Sequence, residues 1–273
     1  MSVENAWKEK ELHGRYHNIL NNDENIDKTA TLSWLTRGGI FPETEGFLCA
    51  IQDQIIPTRS YLKYIVKDGN IKTTKCRMCN KGHENVEHLI SSCEVLAPRE
   101  YTNRHNNVAK ILHIEICYKL KVIDCKTPYY KYNPKNVAEN NNFMVYWDRE
   151  IQTDREVIHN RPDILIFDKQ TKEITIIDIS VPAPANIHKK EKEKIDKYLL
   201  LSEDMKETWQ ATCVRVIPIV IGATGEITKN LKRYLQVLDQ PFGIHTELQK
   251  AAILGTCNVV RKVLNKPAKE QEK

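Results

Sequence analysis

No run of eighteen apolar residues occurs in the 273-residue chain, so no segment has the make-up of a membrane-spanning helix. The first ten residues, Met1 to Lys10, lack an apolar core, and no secretory leader is expected there. Cysteine is sparse: eight in a chain of this length are too few for a disulfide scaffold, which leaves reduced thiols or metal ligands. Charge of one sign is not abundant either. With 41 basic against 36 acidic residues the formal net charge is +5, which permits a polyanionic partner without requiring one. There is no internal repeat and no Asp-Asp dipeptide. Hydrophobic residues make up 41% and charged residues 28%, enough for a packed core. The length suits about two domains.

Residues 1–69 read as a helical linker region. Gly38-Gly39 marks a turn, and Glu43 to Gln54 has Phe47, Leu48 and Ile51 at helical spacing. Residues 70–125 hold a compact Cys/His segment followed by a helix from about Pro98 to Leu120. Residues 121–142, with Pro128, Pro134 and Asn140-Asn141-Asn142, read as a loop and a domain boundary. Residues 143–265 change character. An Ile- and Val-rich stretch at 163–181 predicts a β-hairpin, residues 188–209 a helix, and Val214 to Ile221 a strand despite Pro218. Residues 226–238 and 244–264 predict two final helices, and residues 266–273 a frayed tail. The expected fold is α+β or mixed α/β: a helical region, a small zinc knuckle, then a central mixed sheet flanked by helices.

Cys76, Cys79, His88 and Cys93 form the pattern Cys-x2-Cys-x8-His-x4-Cys. Two cysteines two residues apart bind one ion from a single tight turn, and a His and a Cys return to it from a short helix. Thiolate and imidazole suit tetrahedral Zn²⁺, and four protein ligands leave no open position, so the ion is expected to be structural. His83 competes with His88 and ranks below it. Cys49, Cys117, Cys125, Cys213 and Cys257 read as small buried hydrophobes. The bases around the knuckle, among them Lys72, Lys75, Arg77, Lys81, Arg99, Arg104 and His105, read equally as phosphate contacts or as a solvated rim.

If Lys169 to Lys172 form a four-residue hairpin loop, Asp168 faces Glu173 and Asp163 stands opposite Asp178. Two carboxylates about 5 Å apart repel, and one flanked by Ile177 and Ile179 needs a partner. A divalent cation answers both needs, and oxygen-only ligation selects Mg²⁺ or Mn²⁺. The competing reading leaves Asp163 in a Pro-Asp turn and Asp178 at a strand end beside a basic residue. Glu191, Lys194, Tyr198 and Leu201 share one helical face, with Ile195 and Leu199 turned to the core. Lys194 is the first candidate to orient water or phosphate and Lys197 the second; either also fits a solvated face.

These residues resemble the C-terminal part of non-LTR (LINE-type) retrotransposon polyproteins of the ribosomal-DNA-inserting kind. That family joins a Cys-Cys-His-Cys knuckle to a restriction-like endonuclease of the Pro-Asp…Asp/Glu-x-Lys superfamily. The match rests on Cys76, Cys79, His88 and Cys93, on Pro162-Asp163 with Asp178 fifteen residues later, and on Lys194 to Tyr198. Trp7 to Lys10, Leu12-His13-Gly14 and Thr58-Arg59 resemble the linker before the knuckle. The resemblance implies metal-dependent nicking of DNA, freeing a 3′ hydroxyl for target-primed reverse transcription. It implies Asp163 and Asp178 as Mg²⁺ ligands, Lys194 or Lys197 as the catalytic lysine, and DNA and the parent element's RNA as partners. It further implies Arg77, Lys81, Arg99, Arg104, Arg161 and Tyr198 as nucleic-acid contacts, and a nuclear location ahead of a cytoplasmic one. The superfamily's lysine position two residues past the second acid is Ser180 here, so the helix has to supply the lysine. Without an Asp-Asp pair or the length for a polymerase, the chain reads as a fragment, a truncated copy or a host gene. The alternatives are a silent nucleic-acid-binding remnant and an unselected pseudogene product.

Overall fold

Ile174, Ile176, Ile177 and Ile179 decide the centre of the sheet. All four are buried, and they alternate between its two faces. The strand that carries them, β4 (Glu173–Ser180), has neighbours on both sides. In this computed structural model, which describes residues 6, 7 and 9–266, five strands run in the order β1-β2-β3-β4-β5. These are β1 (Val137–Glu139), β2 (Phe143–Trp147), β3 (Ile164–Asp168), β4 and β5 (Cys213–Val220). The first four pair antiparallel, and β5 lies parallel to β4. Pro218 sits in β5, an edge strand, where a missing N–H is tolerated. The expected tail, beyond residue 266, falls outside the described residues, as do residues 1–5 and 8.

Short helices precede the Cys/His segment, among them α1 (Arg15–Asn22), α2 (Lys28–Thr31), α3 (Ser33–Arg37), α4 (Pro42–Gln52) and the single turn α5 (Arg59–Tyr61). After the Cys/His segment comes α6 (Thr102–Lys119). Then α7 (Ile187–Lys197) and α8 (Leu199–Thr208) follow β4, and α9 (Lys229–Val237) and α10 (Ile244–Leu264) close the chain. One face of the sheet packs Ile164, Ile177 and Ile179 against Val108, Leu112 and Ile116 of α6 and Leu248 and Ala252 of α10. The other face packs Leu165, Ile174 and Ile176 against Tyr198, Leu201 and Met205. The result is a mixed α/β fold with its sheet flanked by helices. No described helix is long and apolar enough to cross a membrane.

Three expectations change. Residues 121–142 do not separate two cores, because the apolar stripe of α6 needs a partner and finds it on the sheet. The asparagine run is a hairpin turn inside that sheet. The Asn140 side chain accepts from the amides of Asn142 (2.9 Å) and Phe143 (2.8 Å), fixing the β1–β2 register. The single helix expected over 188–209 breaks at Tyr198, so Leu199 is 51% exposed while Leu201 and Met205 fill the core.

Helix α10 joins everything. At 21 residues it runs about 32 Å at 1.5 Å per residue. Its first half meets the sheet cluster, Ile253, Cys257 and Val260 meet Trp34, Leu48 and Ile51, and Val259 and Val263 meet the Cys/His segment.

Candidate active site and metal centre

The Cys/His segment folds as its spacing requires. Cys76, Cys79, His88 and Cys93 bring their ligand atoms within 4.8 Å of one another, the one group of three or more such ligands among the described residues. Cys76 Sγ lies 4.0 Å from Cys93 Sγ, and Cys79 Sγ 3.4 Å from His88 Nε2. Tetrahedral Zn²⁺ with Zn–S near 2.3 Å and Zn–N near 2.0 Å needs edges of about 3.8 and 3.5 Å. The donor set and its spacing therefore fit a metal such as zinc. The amides of Met78 and Lys81 point at Cys76 Sγ (3.3 Å) and Cys79 Sγ (3.5 Å), the hydrogen bonds thiolates need. Asn80 takes a left-handed turn (φ +57°) to bring them round. Gly82 must be glycine, because a Cβ there would stand 2.6 Å from the His88 ring. The Tyr101 hydroxyl donates to the Leu89 carbonyl (2.8 Å) and accepts from the Cys93 amide (3.1 Å), locking the second half of the loop. His83 instead bonds Thr74 at 2.6 Å.

The β3–β4 register pairs Ile164 with Ile177 and Phe167 with Ile174, so the hairpin aligns as its loop length predicted. The Asp168 side chain closes the turn by accepting from Gln170 and Thr171 amides. One step beyond the last ladder pair, Asp163 and Asp178 stand opposite each other. The Ile179 amide donates to Asp163 Oδ2 at 2.6 Å.

Asp178 is 1% exposed. Lys194 Nζ contacts its Oδ2, Lys197 Nζ lies 3.0 Å from its Oδ1, and the Tyr198 hydroxyl donates to Oδ1 as well. Burial works against this charge, but Lys194 above all, then Tyr198 and Lys197, hold the carboxyl below the usual range. Burial and the Asp178 charge hold the Tyr198 phenol well above its own. Helix α7 is set in place by buried Glu191, which accepts from Thr228 (2.5 Å) and Asn230 (3.0 Å).

His105 completes the pair. Its Nε2 lies 3.0 Å from Asp163 Oδ2. Burial alone would lower this imidazole, but the bond and charge of Asp163, with Asn106 and Asp178, carry it up to about 9. The sequence named His105 only among the bases near the knuckle. Its signal was spacing: His105, Val108, Leu112 and Ile116 share the stripe of α6 that faces the sheet. Its folded pKa lies above the unfolded value of about 6.5. The stabilisation from this pair is therefore complete below that pH and lost as pH rises through about 9. In Mg²⁺-free buffer, urea denaturation at both ends of this window should show wild type losing roughly 2 kcal/mol. His105→Gln should show no such loss, and an equal loss in both proteins would sink this assignment.

The expected nucleic-acid contacts divide. Arg99 and Lys81 are exposed, with Lys81 2.6 Å from Glu94. Arg161 is exposed and grips Asp148 with two bonds of 2.8 and 2.9 Å. Three others are corrected. Arg77 is spent on fully buried Glu84 at 2.7 Å. Tyr198 is fully buried on Asp178. Arg104, 2% exposed, bonds Thr256 (2.8 Å) and the carbonyls of Ile90 (2.8 Å) and Val181 (3.1 Å), tying the Cys/His segment, α10 and the end of β4 together. Its stem lies where a Cβ on Gly255 would be, 2.5 Å from Cγ, so α10 needs glycine there.

The chain matches no protein-family model and no curated protein. Its chemistry is therefore read from the site. A cleft of about 400 Å³ opens beside the acidic pair, with His105, Ser180, Asn186, Lys190 and Lys194 on its walls. It places cations and hydroxyl and amide donors beside two carboxylates, an arrangement suited to a phosphate ester.

Proposed function

We propose that the chain is a metal-dependent DNA endonuclease of the restriction-like kind carried by non-LTR retrotransposons, acting on chromosomal DNA in the nucleus. One observation carries the reading: Asp163 and Asp178 face each other at the end of a β-hairpin, with two helix lysines on Asp178. The order of elements adds support. The elements run α6-β1-β2-β3-β4-α7-α8-β5, so the acidic pair lies on a central hairpin with α7 packed over it and a parallel strand beyond. In this reading Asp163 and Asp178 would hold Mg²⁺ or Mn²⁺ once a lysine leaves Asp178, since Mg²⁺ commonly takes one or two carboxylates and keeps several waters. When bound, such an ion neutralises phosphate charge and lowers the pKa of water.

The chain's own residues do the rest. Lys190 holds the scissile phosphate in the cleft. Lys194 or Lys197, released from Asp178, orients the attacking water. The water oxygen bonds to phosphorus and loses a proton to solvent, the P–O3′ bond breaks, and the 3′ oxygen leaves as a hydroxyl with a proton taken from solvent. Cationic His105 fixes the rotamer of Asp163. The Cys/His segment shapes the neighbouring surface through Ile90 and Arg104.

A second reading, a silent nucleic-acid-binding remnant, draws on the same contacts: both Asp178 oxygens already carry an ammonium group. A nicking assay separates the two. Zinc-loaded protein on supercoiled plasmid should relax it with Mg²⁺ and not without, and Asp163→Ala should abolish this. Plasmid binding with no cleavage under any divalent ion would replace the first reading with the second.

A further inference from the structure

A half-open cavity of about 590 Å³ lies between α2–α3 and the α9–α10 turn, and shares no residue with the cleft beside Asp163 and Asp178. Its volume suits a nucleotide-sized ligand. Ile227, Leu235 and Ile244 form an apolar floor. Arg37, Lys232 and His245 stand around it, and among the described residues neither Arg37 nor Lys232 has a carboxylate partner. The one acid that lines it, Asp27, caps α2 through the Ala30 amide at 3.0 Å, and its charge is outnumbered by the three bases. Arg37 and Lys232 lie within electrostatic reach of His245: burial above all lowers the His245 imidazole, Asp27 next opposes it, and Arg37 and Lys232 add to the lowering. The amino end of α10 lies at the same mouth; its N-cap Gly243 supplies no side-chain cap, and Glu247 in the first turn is not among the residues that line the cavity.

One further feature points to a flat heterocycle beside the anion. Phe242 at the rim is 88% exposed, with the Arg37 guanidinium 5.9 Å from its ring centre. The buried Gln240 side-chain oxygen has no hydrogen-bond partner, while its nitrogen is fixed on the Leu238 carbonyl at 3.0 Å. Gln240 is one of the residues that line the cavity.

We propose that this cavity binds one unpaired nucleotide, its phosphate against Arg37, Lys232 and the α10 amino end and its base against Phe242. The nucleotide is either free or the end of a single strand; the chemistry recognised is the same. The site stands independently of the nuclease reading.

The test uses the full-length protein, titrated with thymidine 5′-monophosphate, inorganic phosphate and a short oligothymidylate, followed by calorimetry and the His245 imidazole NMR signals. The nucleotide should shift the His245 resonance. Phe242→Ala should weaken thymidine monophosphate about tenfold and leave inorganic phosphate unchanged, since stacking is what is lost. The Arg37→Ala, Lys232→Ala double variant should weaken all three probes at least about tenfold. Tighter binding of the oligonucleotide than of the mononucleotide, lost in the same variants, assigns the strand end. Equal binding assigns the free nucleotide. The proposal fails if no probe moves His245, or if thymidine monophosphate binds both variants as it binds wild type. Plasmid nicking is scored on the same wild-type preparation, so failure here and failure of the nuclease are told apart.

Discussion

Asp178→Asn is expected to abolish plasmid nicking and, unlike most changes at an exposed active site, to destabilise the fold. Asparagine keeps the volume and one acceptor but removes the charge that faces Lys194 and Lys197. Two ammonium groups would then stand against each other at the floor of the sheet with no counter-ion. Breaking such a pair from one side costs about 3–5 kcal/mol when fully buried, and the lower end applies because both lysines reach partly into solvent. A second substitution separates structure from chemistry. Lys194→Met on the Asp178→Asn background removes the orphaned charge and should recover most of the lost stability, measured by denaturant unfolding, while nicking stays at background. If the single variant nicks at the wild-type rate, the acidic pair is structural and the proposed mechanism is wrong.

How much of this was legible follows from what each signal rests on. The Asp163–Asp178 alignment was readable because a hairpin's register follows from its loop length, and Asp168 with Lys172 (φ +60°) closes that loop locally. The Cys/His centre was readable because its ligands come from one short segment. The β1–β2 hairpin was not. Its turn is made of asparagines that look like a linker, and their role shows only once the Asn140 side chain is seen accepting two amides. Arg104 misled for a related reason. A surface arginine and a buried one are the same letter, and only the carbonyls of Ile90 and Val181, far apart in sequence, reveal where its guanidinium goes. His105 shows the limit most plainly: its partner is 58 residues away, and helical spacing said which way it faced but not what it would meet.

Stripping the zinc should be the most disruptive treatment of all, and its damage should follow α10. Cys76 and Cys93 are fully buried and share a cluster with Leu89, Leu96, Val259 and Val263, so an ion held by the four ligands would close one wall of the pocket that holds the end of that helix. Arg77 and Glu84 knit the same wall, with Glu84 also accepting from the Arg59 amide at 3.0 Å. Structural Zn²⁺ in small domains is worth about 10–16 kcal/mol, more than the stability many whole domains possess. Here the sheet core is an independent source of stability, so loss should be local before it is global. Cys93→Ser, or chelation, should release one zinc per chain and lower the melting temperature by more than about 10 °C. Hydrogen exchange should rise across residues 74–96 and at Val259 and Val263, while the amides of β3 and β4 stay protected. Adding Mg²⁺ should not restore the lost protection, because thiolate and imidazole ligands do not suit it. Unchanged exchange at Val259 and Val263 in the zinc-free protein would show that the four ligands decorate the fold rather than hold it.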